Sequence, residues 1–254
     1  MFSSAEILTQ SIAKGTAKVK QPLAIKILLG VLGGALIGIG FLAAIRVSAS
    51  SFVVGQSTAS LLSALVFPLG LVAIVLAGGE LATGNMMVVG TAAYARRIRW
   101  RDFWANQLVI TISNIIGGVL AAYLFGHVVG LTHTGIFKET LVGMAQGKVT
   151  QAFWPSFVSG IGCNWLVGLA VWLGFGAKDS AGKILGIWFP TMVFVAIGFQ
   201  HSIANSFLIP AAIFEGGVTW AQFAMNLIPV YLGNVVGGAG VVAGGYYLGF
   251  KQVQ

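Results

Sequence analysis

Long apolar stretches separated by short polar connections run through most of this chain. The pattern predicts six membrane spans, near residues 26–46, 57–95, 104–130, 155–175, 183–214 and 221–249. Each contains the roughly 20 mostly apolar residues that a helix needs to cross a bilayer. Polar residues interrupt the second and fifth spans. The pattern therefore predicts an all-α integral membrane protein with six transmembrane helices, in which helices 2 and 5 are broken.

The two interruptions belong to an internal repeat with an offset of 120 residues. The same offset aligns residues 78–85 with residues 198–205. Each half contains three spans, an odd number, so the two repeats must be inverted relative to each other in the membrane. Broken helices at matching positions of inverted repeats are typical of a transporter substrate site near the bilayer midplane. The repeat pairs Trp100, Phe103, Asn106, Asn114, Gly117 and Gly118 with Trp220, Phe223, Asn226, Asn234, Gly237 and Gly238.

A second glycine pattern extends the repeat to the first and fourth spans. Gly38-Ile39-Gly40 aligns with Gly160-Ile161-Gly162 at the slightly different offset of 122 residues, as an insertion would produce. We expect the glycine pairs of the third and sixth spans to pack helices within one protomer, because small residues let membrane helices approach closely.

The composition places the whole chain in the membrane class. Hydrophobic residues make up 57% and charged residues 8% of the sequence, whereas soluble domains carry about 25% charged residues. We expect a single membrane channel domain over residues 1–254. It comprises an amphipathic cytoplasmic segment (1–25), the first repeat (26–130), an extracytoplasmic connection (131–153) and the second, inverted repeat (154–250).

The basic residues indicate the orientation of the spans. With the amino terminus inside, eleven Lys and Arg residues face the inner side and three, Arg46, Lys138 and Lys148, face the outer side. The positive-inside rule then places both termini in the cytoplasm and the protein in the cell membrane. The net charge of +8 follows from these loops, and its scatter beside membrane spans argues against nucleic acid as a partner.

The polar interruptions supply the candidate site. Gly78-Gly79 favours a helix break, and we expect Thr83, Asn85, Ser202 and Asn205 to cap the helices that restart after the gaps. The N-terminal ends of those helices would favour an anion at the centre.

His201 is the central candidate, because an ionisable residue deep in a membrane usually marks a pathway or a proton relay. The alternative is a core histidine that is hydrogen-bonded for packing. Glu80 is either a titrating partner or a loop anchor, and Thr83 either a cap or a substrate contact. For Asn114 and Asn234 we expect interhelical hydrogen bonds. Lys148, taken alone, would be an ordinary solvated lysine.

The sequence Gly198-Phe199-Gln200-His201-Ser202-Ile203-Ala204-Asn205, followed by Phe207-Leu208-Ile209-Pro210, resembles the signature of the formate/nitrite transporter family. The segment Gly79-Glu80-Leu81-Ala82-Thr83-Gly84-Asn85 does so too, and the resemblance covers essentially the whole chain. It implies a homopentamer of aquaporin-like protomers in the lipid bilayer, each with its own pore. It also implies small monovalent anions of weak acids as substrates, most of all formate, with nitrite or hydrosulfide as alternatives.

The resemblance also assigns residues. The family's central histidine corresponds to His201, its loop threonine to Thr83, its vestibule lysine to Lys148 and a following asparagine to Asn164. Glu80, Gln200 and Asn205 complete the polar pathway. The hydrophobic constrictions correspond to Phe67 and Phe194 on the outer side, and to Leu71 and Ala82 on the inner side. Gln200 replaces a residue that is often acidic, and Ala82 is smaller than the aromatic residue of some formate channels.

Other classes of protein fit less well. An intramembrane enzyme or redox subunit would need catalytic pairs or metal ligands, but three histidines and one cysteine show no ligand spacing. We therefore expect no catalytic residue, cofactor or metal, and we expect His127 and His133 to be surface residues. A water or glycerol channel would carry paired Asn-Pro-Ala boxes, and Lys148 opposes a cation channel. Proton-coupled transport and electrodiffusive anion passage both remain open.

Overall fold

The computed structural model describes residues 1–49 and 55–253, which form ten helices and a final 3₁₀ turn. Residues 50–54 and 254 of the expected domain lie outside this description. In chain order the helices are α1 (Ser4–Lys20), α2 (Leu23–Ser48), α3 (Gln56–Gly78), α4 (Ala82–Tyr94), α5 (Trp100–Val128), α6 (Gly135–Val149), α7 (Phe153–Gly176), α8 (Ser180–Ile197), α9 (Ser202–Phe214) and α10 (Trp220–Phe250).

Six of the described helices, α2, α3, α5, α7, α8 and α10, are long and apolar enough to cross a membrane. The two predicted broken spans correspond to the helix pairs α3–α4 and α8–α9, so that prediction is confirmed. The breaks occur at Gly78 and Gly198, whose φ angles are +98° and +86°. Only glycine adopts such angles without strain, so the 120-residue repeat places the same backbone turn in both halves.

The amphipathic amino-terminal segment forms α1 and packs against the half-helix α4. Ser3 and Glu6 form a capping box that starts the helix. Ile7, Leu8 and Ile12 are buried beneath it. A Cβ atom on Gly15 would lie 2.1 Å from the carbonyl oxygen of Val88, so only glycine permits this contact. We refer to the side of the protein that carries α1 as the α1 face.

Glycines of the repeat bring the spans into backbone contact. A Cβ on Gly117 of α5 would lie 2.0 Å from the carbonyl oxygen of Val31 in α2. A Cβ on Gly237 of α10 would lie 2.3 Å from that of Ile161 in α7. These glycines therefore pack helices within the protomer, as expected.

The same contacts correct the alignment of the first and fourth spans. Val31 and Ile161 are equivalent partners, which gives an offset of 130 residues and not 122. The alignment of Gly38-Ile39-Gly40 with Gly160-Ile161-Gly162 was therefore wrong. Glycine pairs recur throughout these helices, and a short pattern of small residues does not fix the register.

The predicted connection 131–153 contains the helix α6 as well as loop. α6 packs against α9 and ends at Val149, one residue after Lys148. Lys148 therefore lies on the last turn of a helix, where its position is fixed by packing, and not in a short polar loop.

Candidate functional site

Asparagines of α5 and α10 anchor the two helix breaks in matching ways. The backbone N–H of Ala82 donates to Asn114 Oδ1 at 2.8 Å, and that of Ser202 donates to Asn234 Oδ1 at 2.9 Å. Each asparagine also donates from Nδ2 to a carbonyl oxygen of the break. Asn114 donates to that of Glu80 at 2.8 Å, and Asn234 donates to that of Gln200 at 3.2 Å. Buried polar groups need such partners inside a membrane, so these side chains hold the irregular backbone in place.

Their remaining bonds confirm the interhelical role that we expected for both asparagines. Asn114 Nδ2 donates to the carbonyl oxygen of Gly30 in α2 at 2.7 Å, and Asn234 Nδ2 to that of Gly160 in α7 at 2.8 Å. Each asparagine therefore links three segments, namely its own helix, a neighbouring span and the break.

A second matching layer surrounds Glu80 and Gln200. Asn85 Nδ2 donates to Glu80 Oε2 at 2.7 Å, and Asn205 Nδ2 donates to Gln200 Oε1 at 2.8 Å. Glu80 and Gln200 are both buried. The glutamine thus accepts the same hydrogen bond as the glutamate, which explains why the departure from an acidic residue at position 200 leaves the loop intact.

The caps of the restarted helices differ from the expectation. Leu81 and His201 stand at the N-cap positions of α4 and α9, whereas Thr83, Asn85, Ser202 and Asn205 lie inside the helices. The prediction of these four residues as caps was wrong. Each break contains several polar residues, and the sequence does not show at which of them the helix restarts. The starting residue is fixed by Asn114 and Asn234, which belong to distant spans and accept the first N–H of each restarted helix.

His201 acts as a cap through its ring. Its Nδ1 accepts a hydrogen bond from the backbone N–H of Ala204 at 2.9 Å, and its Nε2 lies 2.8 Å from Thr83 Oγ1. Because Nδ1 is an acceptor, the neutral ring carries its proton on Nε2 and donates it to the threonine hydroxyl. The hydroxyl hydrogen of Thr83 then has no protein acceptor within the described part of the chain.

A narrow central chamber lies beside this pair. Phe67 and Phe194 close it on one side, with ring centroids 5.7 Å apart in an edge-to-face arrangement. His201, Leu71 and Leu81 also line the chamber, which does not admit a water-sized sphere.

Ala82, the residue expected opposite Leu71, is absent from the lining of both this chamber and the cavity beyond it. Leu71 and Leu81 line both cavities, and we therefore propose Leu81, in place of Ala82, as the second residue of this constriction. The repeat could have revealed this residue, because Leu81 stands 120 positions before His201.

A vestibule opens on the side of the chamber away from the α1 face. It has a volume of about 120 Å³ and is lined by Phe67, Phe194, His201, Asn205 and Lys148, among others. Lys148 Nζ donates to the carbonyl oxygens of Gly198 at 2.9 Å and Phe199 at 3.4 Å. This lysine therefore binds the end of α8 and presents its charge at the same time. We call this cavity the Lys148 vestibule.

A second vestibule, of about 300 Å³, opens on the α1 face. Glu80, Leu71 and Leu81 line it together with Lys14 and Lys18 of α1. Lys18 Nζ lies 2.7 Å from Glu80 Oε1. The sequence analysis missed Lys18, because nothing in the amphipathic segment indicates which lysine faces the pathway.

Asn164 lies outside the lining of these cavities. It is fully buried, and its Nδ2 donates to the carbonyl oxygens of Thr83 at 3.2 Å and Asn234 at 2.7 Å. Its Oδ1 has no hydrogen-bond partner among the described residues. The structure therefore brings Asn164 to the backbone of Thr83, behind the wall of the chamber.

A sequence model of the formate/nitrite transporter family matches residues 5–248. The chain belongs to this family. It is 52% identical to the uncharacterized transporter YrhG of Bacillus subtilis (strain 168), over 97% of this chain and 93% of that protein. It is 46% identical to the formate channel BtFdhC of Bacillus thuringiensis, over 95% of this chain and 93% of that protein.

Solved structures of the family have the same fold. An FNT family ion channel superposes with a TM-score of 0.89 at 26% identity, covering 96% of this chain and 98% of the other. A pentameric formate channel with formate bound superposes with a TM-score of 0.80 at 29% identity, covering 90% of this chain and 98% of the other. Together with the six apolar helices, this membership makes the chain a multi-pass membrane protein with the family's broken-helix protomer.

Proposed function

We propose that this formate/nitrite transporter family protein is a channel for small monovalent anions of weak acids, with formate as its substrate. The observation that carries this proposal is the match, over 90% of the chain, to a pentameric formate channel with formate bound. The relative from Bacillus thuringiensis that is named a formate channel supports the same substrate. Nitrite and hydrosulfide are the alternatives.

The α1 face lies in the cytoplasm of the cell membrane in this proposal. Lys14, Lys18, Lys20, Arg96 and Arg97 all belong to α1 or to the connection after α4. Their concentration on one side follows the positive-inside rule. Both termini are then cytoplasmic, and the Lys148 vestibule opens to the outside.

Lys148 attracts the anion to the outer vestibule. A formate ion that leaves water for a narrow apolar passage loses hydration at a large free-energy cost. The positive charge of the lysine ammonium group reduces this cost at the mouth of the passage and raises the local concentration of anions. On the cytoplasmic side Lys18 attracts the anion in the same way, and Glu80 partly balances its charge.

The two apolar constrictions select against the charged form. Phe67 and Phe194 border the chamber outside, and Leu71 and Leu81 border it inside. A neutral weak acid passes apolar side chains at a much lower desolvation cost than its anion. Transfer of a proton to formate within the vestibule would therefore speed passage.

His201 and Thr83 form the polar centre between these constrictions. The Nε2–H of His201 and the hydroxyl of Thr83 can both donate hydrogen bonds to a carboxylate. To give up a proton, His201 must first be protonated on Nδ1 as well, which breaks the hydrogen bond from Ala204. We therefore propose that His201 stays neutral at rest and changes its charge only when an anion is next to it.

Uptake of labelled formate into proteoliposomes that contain the purified protein tests the function. We expect passive uptake without ATP, with competition by nitrite and hydrosulfide. Protein-free liposomes measure the background. The isosteric variant Thr83→Val tests the polar centre and should show reduced uptake, because it loses the central hydroxyl. A protein that passes no small monovalent anion faster than empty liposomes would contradict the proposal.

A further inference from the structure

A buried carboxylate with two imidazole partners lies outside the lining of the vestibules and the chamber. Glu215 follows the last residue of α9, and its side chain is 1% exposed. Its Oε1 lies 3.1 Å from His127 Nδ1, and its Oε2 lies 2.8 Å from His133 Nδ1. Within residues 1–49 and 55–253, these two imidazoles are the only hydrogen-bonding or ion-pair partners of the carboxylate.

The location favours a cation. α5 and α9 both end at this point, with His127 in the last turn of α5 and Glu215 directly after α9. The C-terminal end of a helix carries a partial negative charge. Two such ends and a buried carboxylate therefore create a negative potential that the neutral forms of two imidazoles do not balance.

The donor set fits a particular metal ion. The three ligand atoms, two imidazole nitrogens and one carboxylate oxygen, lie within 4.8 Å of one another. Zinc binds such ligands at about 2.0–2.2 Å, which places tetrahedral ligand atoms roughly 3.3 Å apart. The two nitrogen–oxygen distances, 3.1 Å from His127 Nδ1 to Oε1 and 2.8 Å from His133 Nδ1 to Oε2, are shorter than this value and involve different carboxylate oxygens, so the rings must move slightly apart to admit the ion. The side chain of His133 is 54% exposed, so it is free to adjust its ring and leaves a path for the ion.

We propose that His127, His133 and Glu215 bind one Zn²⁺ ion per protomer, with water in the fourth position. The ion joins the end of α5 to the end of α9, the half-helix whose other end carries His201. This site lies outside the two vestibules and the chamber, and it does not depend on which anion is transported.

The spacing of the residues in the chain hides this site. His127 belongs to the first repeat and His133 to the connection after it, whereas Glu215 lies 82 residues after His133 in the second repeat. The expectation that both histidines are plain surface residues was formed without that carboxylate. The third histidine, His201, does not compete for the ion, because both of its ring nitrogens are engaged in hydrogen bonds.

Zinc titration of the full-length protein in detergent tests the proposal. The protein is first treated with a chelator, the chelator is removed, and binding of ZnCl₂ is followed by calorimetry at about pH 7.5, where imidazole ligands are deprotonated. We expect one ion per protomer and a thermal unfolding temperature that rises with zinc concentration. X-ray absorption should report nitrogen and oxygen neighbours at about 2.0–2.2 Å.

Variants identify the ligands. His133→Gln keeps an N–H donor for Glu215 but removes the ring nitrogen, so it should fold and should lose at least about tenfold in zinc affinity. Glu215→Gln should lose affinity as well. Glu139→Gln, which changes an exposed carboxylate of α6, is the control and should bind zinc like the parent protein.

Two results would overturn the site. Equal zinc affinity in the parent protein and in His133→Gln would mean that the ion binds elsewhere. A parent protein whose unfolding temperature responds to pH but not to zinc would show that the cluster is only a proton-dependent His–Glu clamp. Both experiments measure zinc binding and protein stability, and neither measures transport. Their outcome is therefore independent of whether the protein transports formate.

Discussion

His201 Nε2 lies 2.8 Å from Thr83 Oγ1, and this contact joins the two half-helices that restart after the breaks. The two residues come from opposite repeats and are 118 positions apart in the chain. Nδ1 of the same ring accepts a hydrogen bond from the N–H of Ala204. The proton of the neutral imidazole is therefore on Nε2, where it points to the hydroxyl of Thr83 in the other repeat. The orientation of the His201 ring is therefore fixed by one hydrogen bond at each of its two nitrogen atoms.

Replacement of His201 by asparagine should change the pH dependence of transport and keep the fold. Asparagine is a favourable N-cap residue, so it can accept from Ala204 in place of Nδ1. It does not change its charge between about pH 5 and pH 8, where histidine does. Formate influx and efflux measured across this range should differ from those of the parent protein. Identical profiles in both directions would make His201 a structural residue of the pore wall.

Lys148→Ala should slow the uptake of formate from the Lys148 side without unfolding the protein. Electrostatic attraction raises the capture of a charged ligand by about tenfold or more, and salt screens it over roughly 10 Å at 0.1 M. The difference from the parent protein should therefore shrink as the salt concentration rises. Lys138→Ala, on the same helix but outside the vestibule lining, is the matched control. Unchanged flux and salt dependence would return Lys148 to the class of ordinary surface lysines.

Leu81→Ala should widen the constriction on the α1 face and speed passage, whereas Ala82→Gly should leave it unchanged. Leu81 lines the chamber, and Ala82 instead donates its N–H to Asn114. Formate uptake and permeation by larger monocarboxylates such as acetate report the width of the passage. If only the substitution at position 82 altered this size limit, the constriction inferred from the family resemblance would be right.

Asn114→Ala should destabilise the protein. The substitution leaves the N–H of Ala82 and the carbonyl oxygens of Gly30 and Glu80 without their partner. An unsatisfied buried group costs about 1–3 kcal/mol, so the thermal unfolding temperature in detergent should fall clearly. Ser113→Ala is the control, because among the described residues that hydroxyl bonds only within its own helix, to the carbonyl oxygen of Val109. Equal effects of the two substitutions would show that Asn114 does not hold the break.

We expect the protein to assemble as a homopentamer in which each protomer has its own pathway. The pathway between the Lys148 vestibule and the α1-face vestibule is built from residues of one chain, and the related formate channel is pentameric. Native mass spectrometry in a mild detergent should give a dominant mass five times that of the 26.5 kDa chain. A mainly monomeric spectrum would count against this assembly.

The sequence alone was sufficient to predict the spans, the two breaks, the inverted repeat and the central position of His201. The physical reason is that the bilayer imposes a length and an apolar composition on every crossing helix. It also makes polar interruptions rare, because their backbone must find partners inside the protein. Both requirements act on contiguous residues, and contiguous residues are what a sequence displays.

Only the tertiary structure decided which side chains meet. Leu81 and the adjacent Ala82 have different surroundings although both are apolar, because Leu81 lies in extended backbone at the N-cap and lines the chamber, whereas Ala82 begins the helix α4. Contacts between segments that lie far apart in the chain include the hydrogen bonds of Asn114 and Asn234 to the two breaks, the Lys18–Glu80 ion pair and the cluster of His127, His133 and Glu215. Such contacts depend on how each helix is rotated and placed against its neighbours, and hydrophobic patterning leaves that rotation undetermined when a helix is apolar on every side.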